Sequence, residues 1–143
     1  MKPCMQGMTL ALALAVATSA AAGDCARVST FDVAPRSQQL FPAVLIAIDG
    51  KLPGPTSGPS WRIAPGRHVL TVAEAIDAER FLPAENRERD GRRAGRYKTL
   101  EIEAHPGMTY RLAVRLHPDR RDRVRENEYW EPVIWKASPE PCH

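Results

Sequence analysis

Hydrophobic and polar residues alternate along several stretches of the chain with the period of two that is typical of β-strands. In residues 99–104, leucine, isoleucine and alanine alternate with threonine and glutamate, and residues 110–117 repeat the pattern with arginine on the polar side. Such alternation predicts strands with one apolar and one solvated face. His-Pro-Gly at 105–107 lies between the two stretches. We therefore expect a β-hairpin in an antiparallel sheet.

Two further apolar runs are bounded by strong turn signals. Residues 44–48 end at Asp49-Gly50, and residues 67–72 follow Pro65-Gly66. With first and last strands at 26–33 and 129–136, about seven short strands predict an all-β fold. We expect a single antiparallel β-sandwich, or a small partly open barrel, with little helix. The best helical candidate, residues 73–82, is equally compatible with a strand end entering a loop.

Residues 1–22 contain the three parts of a cleavable signal peptide in the correct order. Lys2 is the positive start, residues 8–18 are apolar, and residues 19–23 are small. We expect cleavage before Gly23, a single domain over residues 23–143, and a periplasmic or secreted location. A retained anchor is the first alternative, although the apolar run is shorter than the roughly 20 residues that a spanning helix needs. A lipidated Cys25 is the second, although Asp24 precedes it where a small residue is usual.

The predicted cleavage changes the cysteine count. Cys4 leaves with the leader, so Cys25 and Cys142 remain at opposite ends of the mature chain. In an oxidising compartment such a pair is expected to form one disulfide that ties the ends of the domain together. The alternatives are two free thiols or pairing between chains.

A family resemblance covers roughly residues 44–116. Ile48-Asp49-Gly50-Lys51, the run IAPGRHVLTV at 63–72, Leu100-Glu101-Ile102 and Pro106-Gly107 follow one another in a layout that resembles the PEGA domain and related small β-sandwich modules of bacterial envelope proteins. The resemblance implies hairpin turns at Asp-Gly and at the last glycine, and an extracytoplasmic, non-catalytic module. The chain departs from the family in a lengthened, Pro-rich turn at 51–60 and a charged insertion at 81–96.

Few residues favour catalysis or metal binding. The four histidines lack a ligand spacing, no Cys-x-x-Cys accompanies them, and there is no nucleophile elbow or phosphate loop. We expect His68 to bond the backbone. No cofactor is predicted, and a small hydrolase or a metal-binding protein is a lesser alternative. The net charge of +3 falls further when Lys2 is removed, so nucleic-acid binding is not expected.

Two arginine-rich stretches, residues 85–96 and 117–128, are expected to be neighbours at the end of the hairpin opposite Pro106-Gly107. Together they could contact anionic glycans or lipid headgroups. Interspersed Asp and Glu residues give an alternative, which we favour, of solvated loops with internal ion pairs. The candidate binding residues are Arg87, Arg89, Arg92, Arg93, Arg96, Arg120, Arg121, Arg123 and Arg125.

Tyr129, Trp130 and Trp135 form an aromatic cluster around Pro132. Strand alternation places Tyr129 and Trp135 on one face and Trp130 on the other, so Trp130 or Trp135 could expose a ring for binding. Core packing, with a bulge at Pro132, is the favoured alternative. The sequence thus leads to an exported, non-catalytic envelope module for protein interaction or assembly. Recognition of an anionic envelope polymer is the second hypothesis.

Overall fold

A computed structural model describes residues 24–56, 58–91 and 96–142 of the chain. The predicted signal peptide, Cys4, Arg92, Arg93 and His143 lie outside these ranges. None of the helices within them has the length and apolar character needed to span a bilayer.

The described residues are mostly strand. The eight strands are β1 (Ala26–Ser29), β2 (Leu40–Phe41), β3 (Ala43–Ile48), β4 (Ser60–Ile63), β5 (Gly66–Glu74), β6 (Lys98–Ala104), β7 (Met108–Leu116) and β8 (Trp130–Pro139). One α-helix, α1, covers Pro83–Asp90, and 3-10 helices cover Arg36–Gln38, Ala78–Arg80 and Pro118–Arg123. The first strand ends at Ser29 rather than Val33, and β2 and β4 were not predicted.

The larger sheet is built around β7. Strand β8 pairs with one edge of β7 along the whole of β7. Strands β1 and β2 pair with different parts of the other edge of β7, and β4 pairs in turn with β1. The pairing of β1 with β7 is parallel, so the expectation of a purely antiparallel sandwich is wrong at this position. A parallel neighbour requires a long connection, which the chain between β1 and β7 supplies.

The smaller sheet has the antiparallel order β3-β5-β6. Asp49 and Gly50 follow β3 with positive φ angles of 51° and 77°, and Ile48 bridges to Lys51. Two consecutive positive φ angles are typical of the tight turns that Asp-Gly favours. The turn predicted at Asp49-Gly50 is therefore confirmed.

The predicted hairpin between β6 and β7 is wrong. Strand β6 pairs with β5, whereas β7 pairs with β8, so residues 105–107 carry the chain from one sheet to the other. The alternation of apolar and polar residues shows that each strand has an apolar face, but it does not show which neighbouring strand pairs with it. Here the two apolar faces meet across the core instead of lying side by side.

The core lies between the two sheets, which form a sandwich-like arrangement without closing into a barrel. Both sheets contribute completely buried side chains: Val28, Phe41, Leu70, Val72, Val114 and Trp130. These positions face inward because the alternation of each strand places them on one side of the pleat.

The segment expected to be a charged loop contains α1. Pro83 occupies the first turn, and the Glu85 side chain accepts a hydrogen bond from the Leu82 N–H at 2.7 Å. Both are features of a helix N-terminus. The one buried residue of α1 is Arg89, so the helix has no apolar stripe that its sequence could reveal. Residues 73–82 instead continue β5 to Glu74 and then form a loop with a 3-10 helix.

The predicted pairing of Cys25 with Cys142 is confirmed, with their Cα atoms 6.2 Å apart. Both ends of the domain lie beside Gly107. The Gly107 N–H donates to the Cys25 carbonyl at 2.8 Å, and the Gly107 carbonyl accepts from the Glu140 N–H at 2.9 Å. The disulfide therefore joins two chain ends that the larger sheet already holds on either side of β7.

Candidate functional site

The two arginine-rich stretches do meet, although not through a hairpin. Arg125 Nη2 donates to Glu88 Oε1 at 2.8 Å, and Arg121 Nη1 donates to the Arg80 carbonyl at 2.8 Å. Arg96 donates to the carbonyls of Val124 and Arg125. Lys98 Nζ donates to the carbonyl of Trp130, which is the register partner of Leu116, so the start of β6 and the end of β7 lie at the same end of the molecule.

Part of the charge of these stretches is neutralised internally. Arg123 pairs with Glu128 at 2.9 Å, and hydrogen bonds to Glu128 and Glu88 raise the pKa values of Arg123 and Arg125 respectively. Arg87 and Arg120 are exposed. This pattern agrees with the favoured alternative of partly paired loops more than with a single cationic surface.

Arg89 is not a surface residue, contrary to its place among the candidate binding residues. Its side chain is 1% exposed, and Nη2 donates to both oxygens of Glu74 at 2.8 and 3.0 Å. Nη2 also donates to the Ile76 carbonyl, and Nη1 donates to Asn86 Oδ1 at 2.8 Å. The guanidinium lies over the Phe81 ring, 3.9 Å from its centre. Arg89 thus attaches α1 to the end of β5.

Tyr129 completes this buried network. Its hydroxyl donates to Glu74 Oε1 at 2.9 Å, and its ring meets Phe81 edge-on at 5.5 Å. Burial and the neighbouring Glu74 carboxylate raise the pKa of Tyr129 to about 12. The phenol therefore stays protonated near neutral pH, and Glu74 accepts hydrogen bonds from both Arg89 and Tyr129.

A groove of about 350 Å³ lies above this network, and we call it the β3 groove. Its lining includes residues of β3, the end of β5, and Arg96 and Tyr97 just before β6. Val44 is 47% exposed and Tyr97 46% exposed. The lining residues are Val44, Ile46, Ala73, Glu74, Ala75, Arg89, Arg96, Tyr97 and Tyr129.

Tyr129 and Trp130 are buried in the fold, whereas Trp135 is partly exposed. Trp130 belongs to the main core, and its indole N–H donates to Asn127 Oδ1 at 2.7 Å. Tyr129 lies in the same core, so the expectation that it shares a face with Trp135 is wrong. Trp135 packs in a smaller cluster with Ala34 and Leu40. The expected bulge lies at Trp135 rather than Pro132, because the pairing skips that residue.

His68 has a bonding role at the start of β5. Its Nε2 lies 2.6 Å from the Ala64 carbonyl, as the expected backbone contact, and its Nδ1 lies 2.6 Å from Asp49 Oδ2. The Val69 N–H donates to the other Asp49 oxygen at 2.8 Å. In the described part of the chain, no group of three His, Cys, Asp or Glu side chains could hold a metal ion.

Comparison with protein-family models, with curated proteins and with solved structures gives no match for this chain. The β3 groove was missed at the sequence level, although one signal was present. The run at 44–48 is apolar on both faces of its strand, and its outward members Val44 and Ile46 line the groove.

Proposed function

We propose that this protein is an exported, non-catalytic module of the cell envelope that binds an extended segment of a partner protein in the β3 groove. The observation that carries the proposal is the position of exposed apolar side chains beside an edge strand. The resemblance to PEGA-type envelope modules, and the predicted signal peptide, are parts of the same proposal.

Strand β3 is suited to pair with an added strand. Within the described residues it pairs with β5 on one side only and ends the smaller sheet. An edge strand presents backbone donors and acceptors, which an extended peptide can satisfy by strand addition. Side chains of that peptide would then alternate, and those pointing over the sheet would contact Val44 and Ile46.

The polar groups beneath the groove support binding rather than catalysis. Glu74 accepts hydrogen bonds from Arg89 and Tyr129, so it is poorly placed to act as a general base. Among the described residues Arg96 donates to two neutral carbonyls, so we expect its charge to attract a carboxylate of the bound segment. We therefore expect the bound segment to combine an apolar side chain with a nearby acidic one.

Site-specific photo-crosslinking in cells that export the protein tests this proposal. A crosslinking residue at position 44 or 97 is expected to give one discrete protein adduct. The same residue at Leu52, which is 84% exposed and does not line the groove, serves as the matched control.

The adduct at position 97 should disappear when Ile46→Asp places a carboxylate in the groove, and it should persist with Leu52→Asp. Equal adducts at positions 44, 97 and 52 would contradict a specific groove. The absence of any protein adduct at 44 and 97 would contradict the proposed function.

A further inference from the structure

The segment between β1 and β2 turns apolar side chains towards solvent. Phe31 is 73% exposed and Val33 is 85% exposed, whereas Asp32 between them forms an ion pair with Arg111. The polar side chain is thus directed to the sheet and its two apolar neighbours away from it. This is the reverse of the usual arrangement, in which polar groups face water.

Arg111 attaches this segment firmly to the outer face of the larger sheet. Its neighbours Tyr110 and Leu112 are in the core, so its side chain projects from the opposite face. Arg111 also donates to Glu140 Oε1 at 2.5 Å and to Ser138 Oγ at 2.6 Å, and its side chain is only 13% exposed. Phe31 is therefore presented next to a residue that is fixed on the sheet.

A recess of about 160 Å³ lies beside Phe31, and we call it the β1–β2 recess. Strands β1 and β2 pair with different parts of the same edge of β7, and Leu112 and Ala113, which lie between those parts, line the recess. Phe41 and Pro42 add further apolar lining. An apolar cavity of about 150 Å³ holds a benzene molecule, so the recess has room for one phenyl ring.

The apolar surface continues beyond the recess. Ala34, Leu40 and Ala113 form a buried cluster on this face, and Val133 and Trp135 pack against the cluster while remaining partly exposed. Together with Phe31 and Val33, they form a connected apolar patch. Such patches mark interaction sites on soluble proteins.

The charges at the recess are balanced within the chain. Asp32 and Arg36 are the charged residues that line it in the described part of the chain. Asp32 is paired with Arg111, and Arg36 forms an ion pair with Asp77 and lies over the Phe41 ring, 4.7 Å from its centre. Two identical surfaces of this kind can therefore approach each other with little repulsion between like charges.

We propose that this surface binds a second copy of the chain, with Phe31 of each copy in the β1–β2 recess of the other. A ring and a recess of matching size lie side by side on one surface, and a two-fold symmetric interface needs such self-complementarity. Because the contact centres on one ring in each recess, we expect a weak, concentration-dependent dimer. Among the described residues none lines both this recess and the β3 groove, so the two proposals can fail independently.

Sedimentation velocity of the disulfide-bonded protein over a wide range of concentrations tests this proposal. We expect a reversible change from monomer to dimer as the concentration rises. Phe31→Ala should weaken the dimer at least about 30-fold, because truncation of a central aromatic side chain commonly removes that much affinity. Leu52→Ala is the matched control, since Leu52 is 84% exposed and does not line the recess, and it should leave the dimer unchanged.

Mixing two variants separates a ring in a recess from general apolar adhesion. Ala113→Met fills the recess but keeps the Phe31 ring, whereas Phe31→Ala keeps the recess. The mixture can form one of the two contacts, so it should associate more strongly than either variant alone and more weakly than the wild type. Circular dichroism reports whether each variant is folded. A mixture that associates no more than its components would contradict the reciprocal contact.

Two other results would overturn the proposal. The first is a wild-type protein that stays monomeric up to the highest concentration at which it is soluble, or a dimer that Phe31→Ala leaves intact. The second is binding of the monomer to phosphatidylglycerol vesicles that Phe31→Ala abolishes, which would assign the exposed ring to a lipid surface instead of a second copy.

Discussion

Arg89 donates to both carboxylate oxygens of Glu74 at 2.8 and 3.0 Å, at a site where its side chain is 1% exposed and that of Glu74 10% exposed. This ion pair joins α1 to β5 and forms the base of the β3 groove. The groove therefore depends on a buried charge pair. Removing either Arg89 or Glu74 alone would leave the other as a buried charge without its partner.

Removing the arginine should destabilise the fold strongly. Arg89→Met leaves the Glu74 carboxylate buried without its partner, which typically costs about 3–5 kcal/mol. Urea denaturation measures the free energy of unfolding. Arg87→Met, on the exposed side of the same helix, is the matched control and should stay within about 0.5 kcal/mol of the wild type. A small effect of Arg89→Met would show that the network does not support the helix.

The disulfide should contribute a large share of stability because it closes a loop between residues 117 positions apart. Replacing both cysteines with serine is expected to lower the free energy of unfolding by about 2–5 kcal/mol. Reductant should destabilise the wild type in the same way and leave the double variant unchanged. If the double variant is as stable as the oxidised wild type, the bond adds nothing to the hydrogen bonds that already hold both ends of the domain beside Gly107.

Asp49 and His68 should make stability depend on pH. Burial opposes the charged ring, but hydrogen bonds to Asp49 and the Ala64 carbonyl outweigh it and raise the pKa of His68 above 6.5, with Glu103 adding attraction. The Val69 N–H, followed by His68, lowers the pKa of Asp49 below 3.8, with a smaller effect from Lys51. Both groups are therefore more strongly charged in the folded state than in the unfolded state.

The raised pKa of His68 and the lowered pKa of Asp49 define the pH range in which this pair stabilises the fold. The His68 contribution is complete below 6.5 and is lost as pH rises through its raised pKa, whereas the Asp49 contribution is complete above 3.8 and is lost as pH falls through its lowered pKa. The stability difference between wild type and His68→Gln should thus be largest between these two values. His105→Gln, which alters an exposed histidine, is the control. A difference that grows above pH 7 would contradict the assignment.

Fluorescence quenching should distinguish the tryptophans. Trp130 is buried in the main core, whereas Trp61 and Trp135 are partly exposed. In variants that keep one tryptophan and carry phenylalanine at the other two positions, acrylamide should quench Trp130 least. Circular dichroism checks that each variant is folded. Efficient quenching of Trp130 would support the alternative in which its ring is available for binding.

Two features of the fold could be predicted from the types and order of the residues. The Asp49-Gly50 turn follows from backbone preference, and the Cys25–Cys142 pair follows once the leader is assigned. The pairing partners of β6 and β7 could not be predicted, because the alternation of apolar and polar residues identifies the buried face of a strand but not its hydrogen-bonded neighbour. The role of Arg89 was also hidden, since a buried arginine has the same sequence signature as a solvated one until its partner Glu74 is located.

Intact mass spectrometry of the protein recovered from the exported fraction tests whether this is an exported domain whose two ends are joined by a disulfide. We expect a chain that begins at Gly23 and is two hydrogen atoms lighter than its reduced form, with the bond mapped to Cys25 and Cys142. A retained leader, a lipidated Cys25 or two free thiols would contradict it.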